Sequence, residues 1–279
     1  MPDNQDLIWD CHVHVFGDPL QFPLDPSRIY TPGLADAETL RSFRAQHGIG
    51  RTVVVQPSVY GNDNSCLLDT LAWFDGGARG IVSLKPDVDR SVLLEYQAAG
   101  VRGVRLNLET TAHKDDPGIA RRRLEEAAAQ IEGLGWHIQI YTNLAVIASI
   151  GEAISSLPLP VVVDHFGLAR AEHGLNQPGF YELTDLVRRG TYVKLSLADR
   201  LAQSPDRMKP FAKQLIDANP ERVLWGSDWP HSRRGNSVEE VAPFGIVDDA
   251  LSLNLIKEWC DTDQQIRLTL NVNPSRLFA

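Results

Sequence analysis

Cysteine is scarce in this chain. Cys11, Cys66 and Cys260 are odd in number, widely spaced and without a CxxC pair, which excludes a disulfide framework and predicts reduced thiols in a reducing compartment. The cytoplasm is the expected location. Long apolar runs are missing too: no stretch approaches the ~18 consecutive apolar residues of a membrane span, and the opening MPDNQDLIWD lacks the basic start and apolar run of a secretory leader. Positive charge is in deficit, with 27 Lys+Arg against 36 Asp+Glu and a formal net charge of -9. That balance argues against nucleic acid or an anionic membrane as partner, yet leaves room for a local basic pocket that takes an anionic small molecule.

What the chain does have is a repeating alternation. Its 279 residues, 43% hydrophobic, suffice for one large domain over the whole length. Eight short β-rich runs recur: LIWDCHVHVF (7–16), RTVVVQ (51–56), GIVSLK (80–85), RGVRLN (102–107), WHIQIYT (136–142), PVVVDHF (160–166), TYVKLS (191–196) and RVLWGSD (222–228). Between them lie segments with apolar residues at helical spacing, several ending near Gly or Pro. Strands alternating with helices imply parallel pairing through right-handed crossovers, so the pattern predicts a (β/α)8 TIM-like barrel, with a doubly wound open sheet as the alternative. Polar residues collect where nearly all eight strands should end: His12/His14, Gln56/Ser58, Lys85, Arg105/Asn107, Tyr141/Asn143, His165, Lys194/Ser196 and Asp228. An open sheet would concentrate them at one switch point, which favours the closed ring. Two long Pro- and Gly-containing stretches, GDPLQFPLDPSRIYTPGL after the first strand and PHSRRGNSVEEVAPFGIVDDA after the eighth, read as walls or lids on the C-terminal rim.

WDCHVHVF places His12 and His14 on alternate positions of a strand that ought to be buried. Side chains at i and i+2 share a face, so both imidazoles and Asp10 are expected to look one way, with Cys11, Val13 and Val15 looking the other. Burying three polar groups on one face costs free energy unless that face opens into a functional space. In a closed barrel the first strand adjoins the eighth, which brings Asp228 of LWGSDWPH beside the two histidines, where a carboxylate suits a general base or a metal ligand. His47, His113, His137 and His173 carry no such pattern and read as structural or solvated. Arg105, ending its strand, is the candidate anchor for a substrate carboxylate, because a guanidinium matches that group with two hydrogen bonds.

DCHVHVFGDPLQFPLDPSRIYTP, VVVQPSVYGNDN, GVRGVRLN, VVVDHFG, VLWGSDWPH and NPSRLF, in that order over almost the whole chain, resemble the amidohydrolase superfamily. The branch they resemble contains 2-pyrone-4,6-dicarboxylate lactonases, sugar-acid lactonases and lactone isomerases. The resemblance implies an amidohydrolase-type barrel and, in metal-dependent members, ligands at His12, His14, His165 and Asp228. Those members usually add a strand-five His or a strand-four carboxylated Lys or Glu, where this chain has Tyr141 and Arg105/Asn107. An Arg there would repel a cation, and the lactonase branch works without metal. The expectation is therefore no cofactor, with one divalent zinc as the alternative. Dicarboxylate lactonases of this kind also carry arginines where this chain has Thr111 and Leu168, with Arg170, Arg233 and Arg234 nearby as substitutes.

The reading that follows is a hydrolase opening a carboxylate-bearing or sugar-acid lactone. Asp228 would activate water, His12, His14, His165 and Tyr141 would polarise the carbonyl, and Arg105, Asn107, Ser58, Arg200 and His231 would contact substrate. A lactone isomerase on the same residues, a zinc-dependent amidohydrolase or decarboxylase, and a non-catalytic binding barrel are the competing readings.

Overall fold

Eight parallel strands follow one another around a ring, each hydrogen-bonded to its sequence neighbours: β1 Ile8–Val13, β2 Ile49–Val55, β3 Ala78–Val82, β4 Val101–Asn107, β5 His137–Tyr141, β6 Val161–Val163, β7 Tyr192–Leu195 and β8 Val223–Trp225. The computed structural model describes residues 7–279; positions 1–6, within the stretch read for a leader, lie outside the described residues. The ring is nearly closed by the chain just beyond β8. Asp228 N–H donates to the carbonyl of His12 at 2.9 Å, His14 N–H to that of Trp229 at 2.8 Å, and Ser227 N–H to Asp10 Oδ1 at 2.9 Å. Gly226 permits the approach, since a Cβ there would lie 2.6 Å from His12 Cβ. The barrel is thus the architecture, and the open sheet is set aside.

Helices cover the outside where the sequence supplies caps. Asp36 accepts from Thr39 N–H to start α1 (Ala37–His47), and Gly48, at φ 66, ends it in the left-handed region open to glycine. Asn143, grouped from the sequence with the strand-end polar residues, accepts from Val146 N–H as the cap of the helix Leu144–Ser156. Among the described residues no helix is long and apolar enough to cross a membrane, and Cys11, Cys66 and Cys260 are free and buried.

Two apolar clusters divide the interior. The larger joins the helices to the outward strand residues, among them Val13, Val15 and Val54. The smaller fills the lower barrel with Trp9, Cys11, Val53, Val55, Ile81, Val162, Tyr192 and Leu224, and Phe278 of the last helix stacks on Trp9 at 5.8 Å to plug it. This corrects the alternation expected on β1. Asp10 pairs with Thr52 and Val13 with Val54, so three steps on β1 match two on β2, and the bulge exchanges faces between Cys11 and Val13. Cys11 therefore looks into the barrel and Asp10 does not join the histidines; it ties β1 to β8 instead. His137 begins β5 at the plugged end, packed edge-on to Phe278 at 5.3 Å, in the structural role expected of it.

Candidate active site

Several candidate site residues leave the barrel where its backbone is left-handed. His165 (φ 53), Phe166 (φ 54) and Leu168 (φ 61) follow β6, Leu197 (φ 65) follows β7, and Asp228 (φ 67) and His231 (φ 63) follow β8. Left-handed backbone costs a non-glycine residue about 1 kcal/mol or more, and such outliers concentrate where geometry serves function.

Asp228 is the centre. Its Oδ1 lies 3.6 Å from His12 Nε2, 3.8 Å from His14 Nε2 and 3.8 Å from His165 Nε2, while Oδ2 accepts from Arg200 Nη2. Burial pushes its carboxyl above the usual range, and the Arg200 charge offsets part of that rise. Burial holds the three imidazoles neutral: His14 is pushed down to about 3, helped by Arg105, and His12 and His165 also fall well below the ordinary range.

The tautomer of His14 is readable. Its Nδ1 lies 2.7 Å from the carbonyl oxygen of Val55, which can only accept, so Nδ1 carries the proton and Nε2 turns a lone pair to Asp228. His14 is an acceptor here, not the donor expected from the sequence. His165 Nδ1 is held by Ser196 Oγ at 2.7 Å, and the Tyr141 ring meets His165 edge-on at 5.3 Å.

Beneath His12 lies a buried polar layer. Lys194 Nζ donates to Gln139 Oε1 at 2.6 Å and sits 3.3 Å from both His12 Nδ1 and Asp164 Oδ1; Gln139 Nε2 donates to Asp164 Oδ2 at 2.9 Å. Lys194 is one of the polar strand ends expected from the sequence, though without an assigned role, whereas Gln139 and Asp164 are not among them. Each is a polar residue in or just after an apolar strand, the same signal that singles out His12.

Above Asp228 opens a cavity of about 630 Å³. It is lined by Ser58, Arg105, Asn107, Tyr141, His165 and Arg200 of the expected set, and by His14 and Asp228 at its floor. Arg105 is anchored by one bond from Nη1 to the carbonyl of Gln56 at 2.7 Å and lies over the Tyr141 ring. Lys114, Arg233 and Arg234 add positive charge to the wall against Glu109 and Asp228, so an acidic protein has a cationic pocket. Arg170 and Lys85 do not line it. Neither does His231, which turns to Asp249 at 3.0 Å; burial lowers its pKa, but the Asp249 hydrogen bond and charge outweigh that and leave it raised.

The two long loops form one wall. Thr31–Pro32 pairs in parallel with Val241–Ala242, Phe16 stacks on Phe244 at 6.0 Å, and Tyr30 Oη approaches Ser232 Oγ at 3.5 Å over the cavity. Tyr30 and Ser232 are lining residues that sequence reasoning missed, because loop partners 202 positions apart leave no local pattern.

Among the described residues one group could hold a metal ion: His12, His165 and Asp228 each offer an atom within 4.8 Å of the others. His14, included in the set expected from sequence, falls outside it. Two imidazoles and a carboxylate are zinc-type ligands, but Arg200 on Asp228 Oδ2 and Lys194 at His12 Nδ1 bring positive charge against the same residues.

Known proteins resemble this chain over nearly its full length. A 4-sulfomuconolactone hydrolase of Hydrogenophaga intermedia is 34% identical over 277 residues, covering 97% of this chain and 88% of that protein. A 2-pyrone-4,6-dicarboxylate hydrolase of Comamonas testosteroni is 32% identical over 282 residues, covering 96% and 89%. A Pseudomonas putida structure described as a candidate 2-pyrone-4,6-dicarboxylic acid hydrolase superposes with a TM-score of 0.77 at 34% identity, covering 98% of this chain and 97% of that one. The amidohydrolase family profile matches residues 9–279, which include every side chain of the site, and the chain belongs to the amidohydrolase family.

Proposed function

We propose that the protein hydrolyses a lactone carrying a carboxylate or sulfonate, with Asp228 as general base and no metal. One observation carries this: a buried carboxylate ringed by three neutral imidazoles at 3.6–3.8 Å lies at the floor of a cation-lined cavity. These spacings exceed direct hydrogen bonds and match a bridging water. Such a water donates one hydrogen to Asp228 Oδ1 and one to the His14 Nε2 lone pair, which aims its own lone pair at the lactone carbonyl. As the C–O bond forms, Asp228 takes the proton and the carbonyl oxygen becomes an oxyanion. His165 and Tyr141 are the donors that receive that charge, and Arg105 with the outer cations holds the anionic substituent. Collapse of the tetrahedral adduct breaks the ring C–O bond, and the proton on Asp228 passes to the leaving alkoxide or enolate oxygen. The relatives that act on 4-sulfomuconolactone and 2-pyrone-4,6-dicarboxylate support a lactone as the substrate class.

The test is acid release, followed with a pH indicator, on a panel of carboxylated, sulfonated and sugar-acid lactones after exhaustive chelation. Rapid proton production on one of them, lost in Asp228→Asn, is the expected result. Interconversion of lactones without acid, detected by NMR, would replace hydrolysis by isomerisation; activity that returns only with added metal would overturn the metal-free reading.

A further inference from the structure

We infer that Lys194 is a positioning residue that fixes His12 in its Nε2–H tautomer, and so makes His12 a donor to the reacting water or oxyanion rather than a metal ligand. The inference rests on the lactone-hydrolase reading for its catalytic meaning, but its structural content stands apart from any substrate.

His12 Nδ1 faces two groups. Lys194 Nζ is at 3.3 Å with hydrogen-bonding geometry, and Asp164 Oδ1 is at 3.4 Å without it. Asp164 Oδ1 has the Lys194 ammonium as its charge partner at 3.3 Å and receives no hydrogen bond from the His12 ring, so no proton on His12 Nδ1 is directed to it. An ammonium has three donors and no acceptor. Around Lys194 there are three acceptor atoms, namely Gln139 Oε1, Asp164 Oδ1 and His12 Nδ1, and the Asp164 carboxylate balances the charge in an otherwise closed layer. Gln139 is held in its amide orientation by the bond from Nε2 to Asp164 Oδ2, which presents Oε1 to the lysine. A lysine donor on Nδ1 leaves the proton of the neutral ring on Nε2, the atom 3.6 Å from Asp228 Oδ1 that has no partner of its own.

The consequence divides the two chemistries open to this site. A metal takes the lone pair of an imidazole nitrogen, and a protonated Nε2 offers none. His14 then accepts from the bridging water at Nε2 while His12 donates, so the two histidines of the HxH pair have opposite roles. Without Lys194, His12 Nδ1–H can turn to Asp164, the familiar carboxylate–histidine arrangement that prepares Nε2 for a metal.

The tautomer is read directly by long-range ¹H–¹⁵N NMR on protein with ¹⁵N-labelled histidine and no substrate, with His12 assigned by its loss in His12→Gln. Expected is protonated Nε2 on His12 and protonated Nδ1 on His14, with His12 switching to Nδ1–H in Lys194→Met. The variant should also bind Zn²⁺ more tightly than the native protein in a chelator competition, and lose about a hundredfold in kcat with a smaller change in KM. Protonated Nδ1 on native His12, an unchanged tautomer in Lys194→Met, or equal zinc affinity in the two proteins would overturn the inference. If the variant does not fold, the native spectrum alone decides, and because no substrate is present, failure here is distinct from failure of the lactone reading.

Discussion

The Nε2 atoms of His12 and His14 stand 3.6 and 3.8 Å from one oxygen of Asp228, yet the two rings meet it differently. His14 donates from Nδ1 to Val55 and so turns a lone pair towards the carboxylate. Two acceptors facing each other across that gap are repulsive unless a donor lies between them, and a water molecule supplies two. The proposed hydrolysis uses this arrangement to orient a water before substrate arrives, at an entropic cost already met by folding.

Asp228→Asn should reduce kcat by about 10²–10⁴-fold, the range of general-base catalysis, while leaving a competitive anionic inhibitor bound. In the native enzyme, burial raises the Asp228 carboxyl, and a base works only when deprotonated. The kcat/KM profile should thus fall with decreasing pH at a value above the ordinary carboxylate range; an acid limb near the pKa of an exposed aspartate would count against this assignment.

Arg105→Met should act mainly on binding. A charged hydrogen bond contributes about 1.5–3 kcal/mol, so KM for an anionic lactone should rise about 10–100-fold, and kcat should change less. A neutral lactone of the same size should barely respond, and steady-state kinetics on the pair makes the comparison.

Prolonged chelation followed by elemental analysis should leave metal well below one ion per chain with activity intact, because Arg200 and Lys194 oppose a cation at the three groups that could hold it. Stoichiometric zinc, with activity that tracks it, would reverse the conclusion.

Asp10 makes a prediction about stability. Burial pushes its carboxyl from 3.8 up to about 6 in the folded protein, partly offset by hydrogen bonds from Ser227 and His12. Between those values the folded state binds more protons than the unfolded one, so this group favours folding at low pH and its contribution is lost as pH rises through about 6. Asp10→Asn, which keeps an acceptor for Ser227 N–H, should flatten the pH dependence of urea unfolding in that window relative to the native protein.

Much of the molecule is legible in the sequence. Alternating strand and helix patterns determined the barrel, because a strand that buries both faces must be apolar throughout and a helix only along one stripe. For the same reason polar residues at the strand ends, from His12 to Asp228, marked the site: no apolar layer would tolerate them otherwise. The face of Asp10 was beyond that logic, since one extra residue in β1 reverses the alternation and leaves no mark in composition. Loop partners such as Tyr30 and Ser232, and the turn of His231 towards Asp249, depend on distant segments meeting. Protonation was settled at the same level. Which nitrogen of His14 carries a proton depends on Val55, 41 residues away, and His12 faces Lys194, 182 residues away. Sequence determines which groups are present, but a hydrogen bond is set by distance and angle, and those exist only once the ring has closed.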